Sequence, residues 1–304
     1  MQRARRRATY DRIASGALRL WFRVSSRLSL AAIQRLGGAV GVAVYLFGGS
    51  PKRVTRSNLE ACFPEMPESA RRRLTRASLR QTGCYAAELG IAWRPGDCRW
   101  KDLIVDVEGY EAIDDARALR RPIVFLVPHY GSWELLSLYL GGRLPLTVLY
   151  ERPRYRSVES IAVQGRARTG CRLMPNDMSG LRALYVGLRD GEAVGLLPDQ
   201  VPSARSGEYA PFFGRDALTM TLAHRLIEKF EPCVVLCYAE RLSGGRGFRL
   251  GFERLENVES ACDSEESLAA MNKAIERVVA RDPSQYQWEY RRFRRPRSRS
   301  ERIY

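Results

Sequence analysis

The chain has 304 residues, 45% of them hydrophobic and 28% charged, with a formal net charge of +16 that comes almost wholly from arginine. That composition excludes a disordered chain and leaves room for one large domain or two small ones. The excess of positive charge calls for an acidic partner or surface: anionic lipid, an acidic protein or nucleic acid. The seven cysteines are scattered with no Cys-x-x-Cys pair, which speaks against zinc and for free thiols in a reducing compartment.

The first fifty residues open with "MQRARRRATYDRIASGALRLWFRVSSRLSL", basic and amphipathic, followed by "AAIQRLGGAVGVAVYLFGG". The apolar stretch 36–47 is too short to cross a bilayer, which takes about 20 apolar residues; extended back to Leu28 it reaches that length but then includes Gln34 and Arg35. Two expectations stand side by side: a marginal inserted anchor, or a helix lying in the headgroup region. No cleavable signal peptide is recognisable. Residues 68–93 predict a helix with Leu74, Ala77, Leu79, Tyr85 and Leu89 on its apolar side, stopped by Pro95-Gly96.

From residue 123 strand-like and helical runs alternate. Strands are expected at 123–127, 146–150, 194–197 and 233–238, and helices at 132–140, 155–169, 179–190 and 217–229. "SGGRG" at 243–247 predicts a hairpin, and 264–281 a helix with Leu268, Met271, Ile275 and Val278 on one face. Such alternation predicts an α/β fold with a mixed, largely parallel sheet flanked by helices. The expected organisation is a membrane-associating segment at 1–50, a catalytic domain at 51–297 and a basic, solvated tail at 298–304.

One of only two histidines stands where a strand gives out, in "IVFLVPHYGSWEL". Ligands bind beyond the carboxyl ends of strands in open α/β sheets, so His129 is the first candidate for chemistry. Glu134 lies five residues on; inside one helix the two would point about 140° apart, so they meet only if His129 precedes the helix. The carboxylate would then fix the ring's tautomer and raise its basicity. Gly131 would allow a tight bend, and the N–H groups of Gly131, Ser132 and Trp133 would hold an oxyanion. This is equipment for acyl transfer. A capping or core role for His129 is the bland alternative. His224 lies mid-helix among apolar neighbours and is read as structural. No Gly-x-Ser-x-Gly elbow and no P-loop occurs.

"PHYGSWE" resembles the His-x4-Glu/Asp motif of the glycerolipid acyltransferase superfamily. Four further blocks in order, "YERPRYRSVESIAVQGRARTG", "DGEAVGLLPDQ", "EYAPFFGRDALTMT" and "DPSQYQWEYRRFRRPR", narrow the likeness to the bacterial lipid A late acyltransferases, over about residues 15 to 297. The resemblance implies a glycerolipid acyltransferase-like fold and a bacterial inner-membrane enzyme, working at the cytoplasmic face. It would move a fatty acyl chain from acyl carrier protein to a hydroxyl of a lipid A precursor, without metal or cofactor and without a covalent acyl-enzyme. It makes His129 the base and Glu134 its orienting carboxylate. Arg166 would bind a substrate phosphate or pair with a carboxylate, and Asp199 would orient the acceptor or hold Arg166. Phe212 and Phe213 would wall an acyl groove or pack the core. Two positions depart from the family pattern: Val201 stands where an acid is common, and Tyr290 replaces a histidine. They leave the acceptor open, with another membrane lipid as the alternative.

The C-terminal "YRRFRRPRSRSERIY" interleaves arginine with aromatics, which in isolation would suggest nucleic-acid binding. No RNA-recognition, KH or zinc-knuckle pattern accompanies it, and lipid phosphates or an acidic carrier protein suit the same arginines. The expected partners therefore include no nucleic acid.

Overall fold

The computed structural model describes residues 2–153 and 156–304, with side chains from Tyr10 onward except at Arg156. Residue 155, at which the expected helix 155–169 begins, lies outside the described residues.

Four helices open the chain: α1 (Gln2–Ser25), α2 (Leu30–Phe47), α3 (Ser50–Cys62) and α4 (Glu68–Ala92). A short α5 (Trp100–Leu103) leads into β1 (Ile104–Glu108) and α6 (Glu111–Ala118). The alternating region follows as β2 (Ile123–Leu126), α7 (Glu134–Gly141), β3 (Leu146–Tyr150), α8 (Arg156–Ala167), β4 (Arg172–Pro175), α9 (Met178–Arg189) and β5 (Ala193–Leu196). A two-stranded ribbon, β6 (Gly207–Phe212) and β7 (Arg215–Met220), precedes α10 (Leu222–Phe230). The chain closes through β8 (Cys233–Arg241), β9 (Phe248–Arg254), α11 (Glu256–Glu259) and α12 (Ser264–Arg281).

Seven strands form one sheet in the order β1-β9-β8-β2-β5-β3-β4. All neighbours pair in parallel except β8 and β9, which the 243–247 turn joins as an antiparallel hairpin. The mixed, largely parallel sheet expected from the sequence is therefore the observed one. Alternation along the strands divides the core in two. Val124, Leu126, Val194, Leu196, Val234 and Leu236 face α9, α10, α12 and the C-terminal segment. Ile123, Phe125, Val127, Ala193, Val235 and Cys237 face α2, α4, α6 and α7.

Two expectations are corrected here. Residues 217–220 belong to β7, not to the helix expected at 217–229, which begins only at Leu222. Ala217 and Leu218 satisfy a helical period, but the Phe213-Gly214 corner turns them back along β6. The tail is not loose either. Tyr304 donates its hydroxyl hydrogen to the Asn58 side chain, and Ile303 and Tyr304 pack on the core. The arginine-aromatic run is likewise spent on the fold. Arg292 is 3% exposed and donates to the Leu218 carbonyl and Thr219, Phe293 is buried, and Arg297 pairs with Asp216.

The helix α2 is long and apolar enough to cross a membrane by length and composition, yet a third of it is buried. Its inner face carries Leu30, Ile33 and Gln34, and three glycines bring its backbone onto α4: a Cβ at Gly37 or Gly41 would overlap the carbonyls of Gly83 or Leu79. Gln34 donates to the buried Glu88 at 2.9 Å, and Glu88 in turn takes a bidentate pair from the buried Arg241. The opposite face of α2 leaves Val40 63%, Leu46 69% and Phe47 90% exposed. On an exposed helix Gly→Ala stabilises. Gly83→Ala is expected to destabilise by about 1–3 kcal/mol instead, because the new methyl overlaps the Gly37 carbonyl. A lowered midpoint in urea would show it, and an unchanged or higher midpoint would contradict the packing.

Of the seven cysteines, all free, Cys98 and Cys262 are exposed and the other five are buried.

Candidate active site

The site is built at the carboxyl end of β2, where the parallel strands stop. Val127 still bonds to the Leu196 carbonyl at 2.8 Å, and Pro128 then ends the ladder. Residues 129–133 form a loop clamped from behind. Gly131 donates to the Gln285 carbonyl at 3.0 Å and Ser132 to the Ala239 carbonyl at 2.8 Å. Gly131 has φ of 62°, and a Cβ there would strike the Ala239 carbonyl, so this position requires glycine. The tight bend expected at Gly131 is present. The oxyanion role expected of the Gly131 and Ser132 N–H groups is not available, because both hydrogens are already donated. Among the described residues, the N–H groups of Trp133 and Glu134, at the start of α7, have no carbonyl partner.

His129 is buried against Asp199, from the loop after β5. The ring Nδ1 lies 2.8 Å from Asp199 Oδ1, and the His129 backbone N–H donates to Oδ2 at 2.9 Å. Burial by itself would raise the Asp199 carboxyl. The charge of His129 and the hydrogen bonds from its ring and backbone outweigh that, and hold the carboxyl below its ordinary value. An ionised Asp199 only accepts, so Nδ1 carries the hydrogen and Nε2 is left as the basic nitrogen. The Gln200 amide, 3.0 Å from Nε2, must then present its NH2 group. Gln200 thus stands where a hydroxyl donor to the ring would stand.

Glu134 is elsewhere, and this corrects the expected pair. Its carboxylate is 1% exposed and takes a bidentate grip from Arg166 of α8: Nε to Oε2 at 2.7 Å and Nη2 to Oε1. Tyr85 of α4 donates to Oε1 at 3.4 Å. Burial, reinforced by the charge of Glu134, pushes the Tyr85 phenol well up, so it stays a neutral donor. Burial would lower Arg166, but the charge of Glu134 and its hydrogen bonds raise it. The reason is positional. Glu134 is the first residue of α7 and points back across the α7–α8 packing, while the loop turns His129 toward β5. Asp199 holds His129, the place expected for Glu134, and is not the partner of Arg166. Of the two readings for Arg166 it is pairing with a carboxylate that holds, with Glu134 as the acid. Trp133 joins the two pairs. The His129 ring lies edge-on to its indole at 5.1 Å, and the Arg166 guanidinium sits 5.6 Å from the same ring.

These groups stand at the mouth of an 830 Å³ cavity. Around the mouth are His129, Trp133, Glu134, Arg166, Gln200 and Tyr290, with Arg225 and Arg294 alongside. Inward the lining becomes apolar, with Phe125, Leu136, Leu140, Leu146, Val148 and Leu173. Leu146 pairs with Ala193, which pairs with Ile123, so the cavity runs about four residues, or ~13 Å, back along the sheet.

Phe212 and Phe213 do not line this cavity. Phe212 is fully buried among Tyr286, Phe293 and Phe213, and Phe213 packs on Phe63 and Trp288. The β6–β7 ribbon carries them into the core, so of the two readings it is packing that holds. Ser132 is buried and does not line the cavity. His224 sits in α10, as expected of a structural residue. Gln200 was not singled out from sequence, and Tyr85 was read only as part of the apolar side of a helix, not as a site residue. Adjacency to Asp199 at a strand end was the available signal for Gln200; nothing local marks Tyr85. The two departures from the family pattern meet in space: the Val201 N–H donates to the Tyr290 hydroxyl at 2.9 Å, beside His129.

Comparison with known proteins agrees over nearly the whole chain. A family model described as bacterial lipid A biosynthesis acyltransferase matches residues 11–295. Among curated proteins of Escherichia coli K12, the lipid A biosynthesis lauroyltransferase is 30% identical over 279 residues, covering 90% of this chain and 89% of its own. The palmitoleoyltransferase is 29% identical over 280 residues, with 92% and 89% covered. The myristoyltransferase is 25% identical over 265 residues, with 84% and 78% covered.

Proposed function

The chain belongs to the bacterial lipid A biosynthesis acyltransferase family, and we propose that it moves a fatty acyl chain from the thioester of acyl carrier protein to a hydroxyl of a lipid A precursor, with His129 as base and Asp199 as the carboxylate that orients it. The observation that carries this reading is one buried imidazole, its Nδ1 hydrogen given to a carboxylate and its Nε2 turned to the mouth of a deep apolar cavity.

The acyl chain lies in the cavity with its thioester carbonyl at the mouth. The acceptor hydroxyl displaces the Gln200 amide and gives its proton to Nε2 as its oxygen attacks the carbonyl carbon. Asp199 stabilises the imidazolium without taking the proton. The N–H groups of Trp133 and Glu134, and the Arg166 nitrogen that Glu134 leaves unspent, face the developing oxyanion. As the carbon–sulfur bond breaks, the thiolate takes the proton back from Nε2. No covalent acyl-enzyme and no metal enters this scheme. An acidic carrier protein suits the +16 chain, and the exposed Arg225 at the cavity mouth meets no carboxylate among the described residues.

We place the protein at the inner membrane, on its cytoplasmic face; attachment to a bilayer is supported by where the apolar surface is. Tyr10, Ile13, Leu20 and Val24 form a stripe on α1, and Leu36, Val40, Leu46 and Phe47 one on α2, all exposed. Because the inner face of α2 is locked onto α4 by glycine contacts, the helix lies in the headgroup plane and does not span.

The test is a reconstituted reaction. Purified protein, acyl carrier protein loaded with chains of several lengths, and lipid A precursor should yield a product heavier by one acyl group. Transfer to another lipid in the same mixture, with none to the precursor, would move the acceptor assignment. Hydrolysis alone would remove transferase function. The three relatives named above are named for the transfer of three different acyl chains, and the cavity is the feature of this structure that would select among them. Leu146→Trp fills its far end, and the preference among donors should shift by about tenfold or more toward shorter chains. An unchanged preference would place the acyl chain elsewhere.

A further inference from the structure

A second cavity lies behind the catalytic loop, a polar cleft of 420 Å³ between α2, α4 and the β8–β9 turn. Four arginines line it: Arg80, Arg241, Arg246 and Arg281. Two are committed. Arg241 is buried and grips Glu88, and Arg281 lies 3.3 Å from Glu240. Of the lining acids, Glu240 is thereby compensated, and Asp282 is turned inward, accepting from Ser284 and Gln285. What stays uncompensated is positive. Neither Arg80 nor Arg246 meets a carboxylate among the described residues; Arg246 folds back on Ser243, and Arg80 lies across α2, where Gly38 leaves room for its side chain. Gln81 accepts from Arg241 at 3.0 Å through Oε1, which leaves its NH2 group to donate.

We infer that this cleft binds the phosphate of an anionic membrane phospholipid, held between Arg80 and Arg246 with Gln81 as a further donor. The inference rests on the bilayer attachment proposed above. Guanidinium groups match phosphate oxygens in pairs, and two of them without a carboxylate partner over one cleft are a phosphate-reading arrangement. The lipid, as the source of that phosphate, follows from position. Gln34 of the cleft wall lies on the inner face of α2, and the exposed Leu36 and Val40 lie on its outer face. A bilayer receiving the apolar stripe therefore has its headgroup layer one helix diameter, ~10 Å, from the cleft, and the exposed Arg80 and Arg246 side chains can extend toward it. The cleft also backs onto the catalytic loop, because Gln285 in its lining accepts the Gly131 hydrogen.

The experiment is sedimentation of the full-length protein with vesicles of phosphatidylcholine alone or with phosphatidylglycerol added. The variant pair Arg80→Gln/Arg246→Gln should weaken binding to the anionic vesicles by about tenfold or more, and leave binding to neutral vesicles unchanged. An equal loss of charge at Arg182→Gln/Arg189→Gln, on α9 near the β4 edge of the sheet, serves as control and should change little. Equal weakening by both pairs would overturn the inference, since it would mean unspecific attraction. Displacement of the anionic vesicles by millimolar inorganic phosphate as readily as by soluble short-chain phosphatidylglycerol would reassign the cleft to free phosphate and overturn the lipid assignment. His129→Ala should bind vesicles like wild type, so failure of the catalytic reading and failure of this one are seen separately.

Discussion

Replacing Asp199 with asparagine is expected to lower kcat/KM by about 10⁴-fold while leaving the cavity intact. The reasoning is geometric. Asp199 accepts twice from the same residue, from the His129 backbone N–H through Oδ2 and from its ring through Oδ1. Asparagine has one oxygen, and the backbone N–H, which can only donate, claims it. The amide NH2 then faces Nδ1, which must become an acceptor. The ring hydrogen moves to Nε2, and the nitrogen that should take the acceptor's proton already carries one. Burial does the rest, because Asp199 is 2% exposed and water cannot substitute for the lost acceptor. Nitrogen-15 chemical shifts of the imidazole should report the exchange of tautomers directly. A variant that retained activity, or that kept Nδ1–H, would show that Asp199 only supports the loop. Gln200→Ala makes a useful contrast. It opens Nε2 to water without altering the tautomer, so thioester hydrolysis should rise relative to transfer.

The parts legible from sequence are those with local causes. Strand β2 ends at Pro128 because proline cannot continue the ladder, and the histidine that follows a strand end in an α/β sheet lies where such sheets bind ligands. α12 was readable because Leu268, Met271, Ile275 and Val278 keep a single face over its whole length. What failed were assignments that depend on how elements meet. A spacing of five residues between His129 and Glu134 says the two are near in the chain. It does not say that α8 will bring Arg166 across to claim the carboxylate. Asp199, seventy residues on, reaches the ring only because β5 lies beside β2 in the sheet. For Phe212 the residues allowed both a groove wall and core packing, and the choice between them is made by the β6–β7 ribbon, whose second strand reads locally as the start of a helix. The tail failed for a related reason. Composition marked residues 298–304 as solvated, and Tyr304 docks on Asn58 across almost the full length of the chain.

Arg166→Ala should be more damaging than the loss of one surface arginine, and in two separable ways. It leaves the Glu134 carboxylate, 1% exposed, without its counter-charge, and breaking a buried pair from one side costs about 3–5 kcal/mol. It also removes the only guanidinium expected to face the oxyanion, for which about 10²–10³ in kcat is a reasonable loss. Glu134→Gln tests the same pair from the other side. Had the carboxylate only to accept the imidazole hydrogen, the amide oxygen would serve nearly as well and activity would survive. With Arg166 as the partner, glutamine keeps one hydrogen bond but strands the buried charge, so stability and rate should fall almost as far as in Glu134→Ala. The double variant Glu134→Leu/Arg166→Met decides between the two effects. Apolar residues of similar volume can replace a buried ion pair at little cost, so its unfolding midpoint should return close to wild type. If the rate returns with it, the pair is scaffolding and the oxyanion is held by backbone N–H groups alone. If stability returns and the rate does not, Arg166 acts on the reacting carbonyl, and Glu134 matters to catalysis as the residue that aims it.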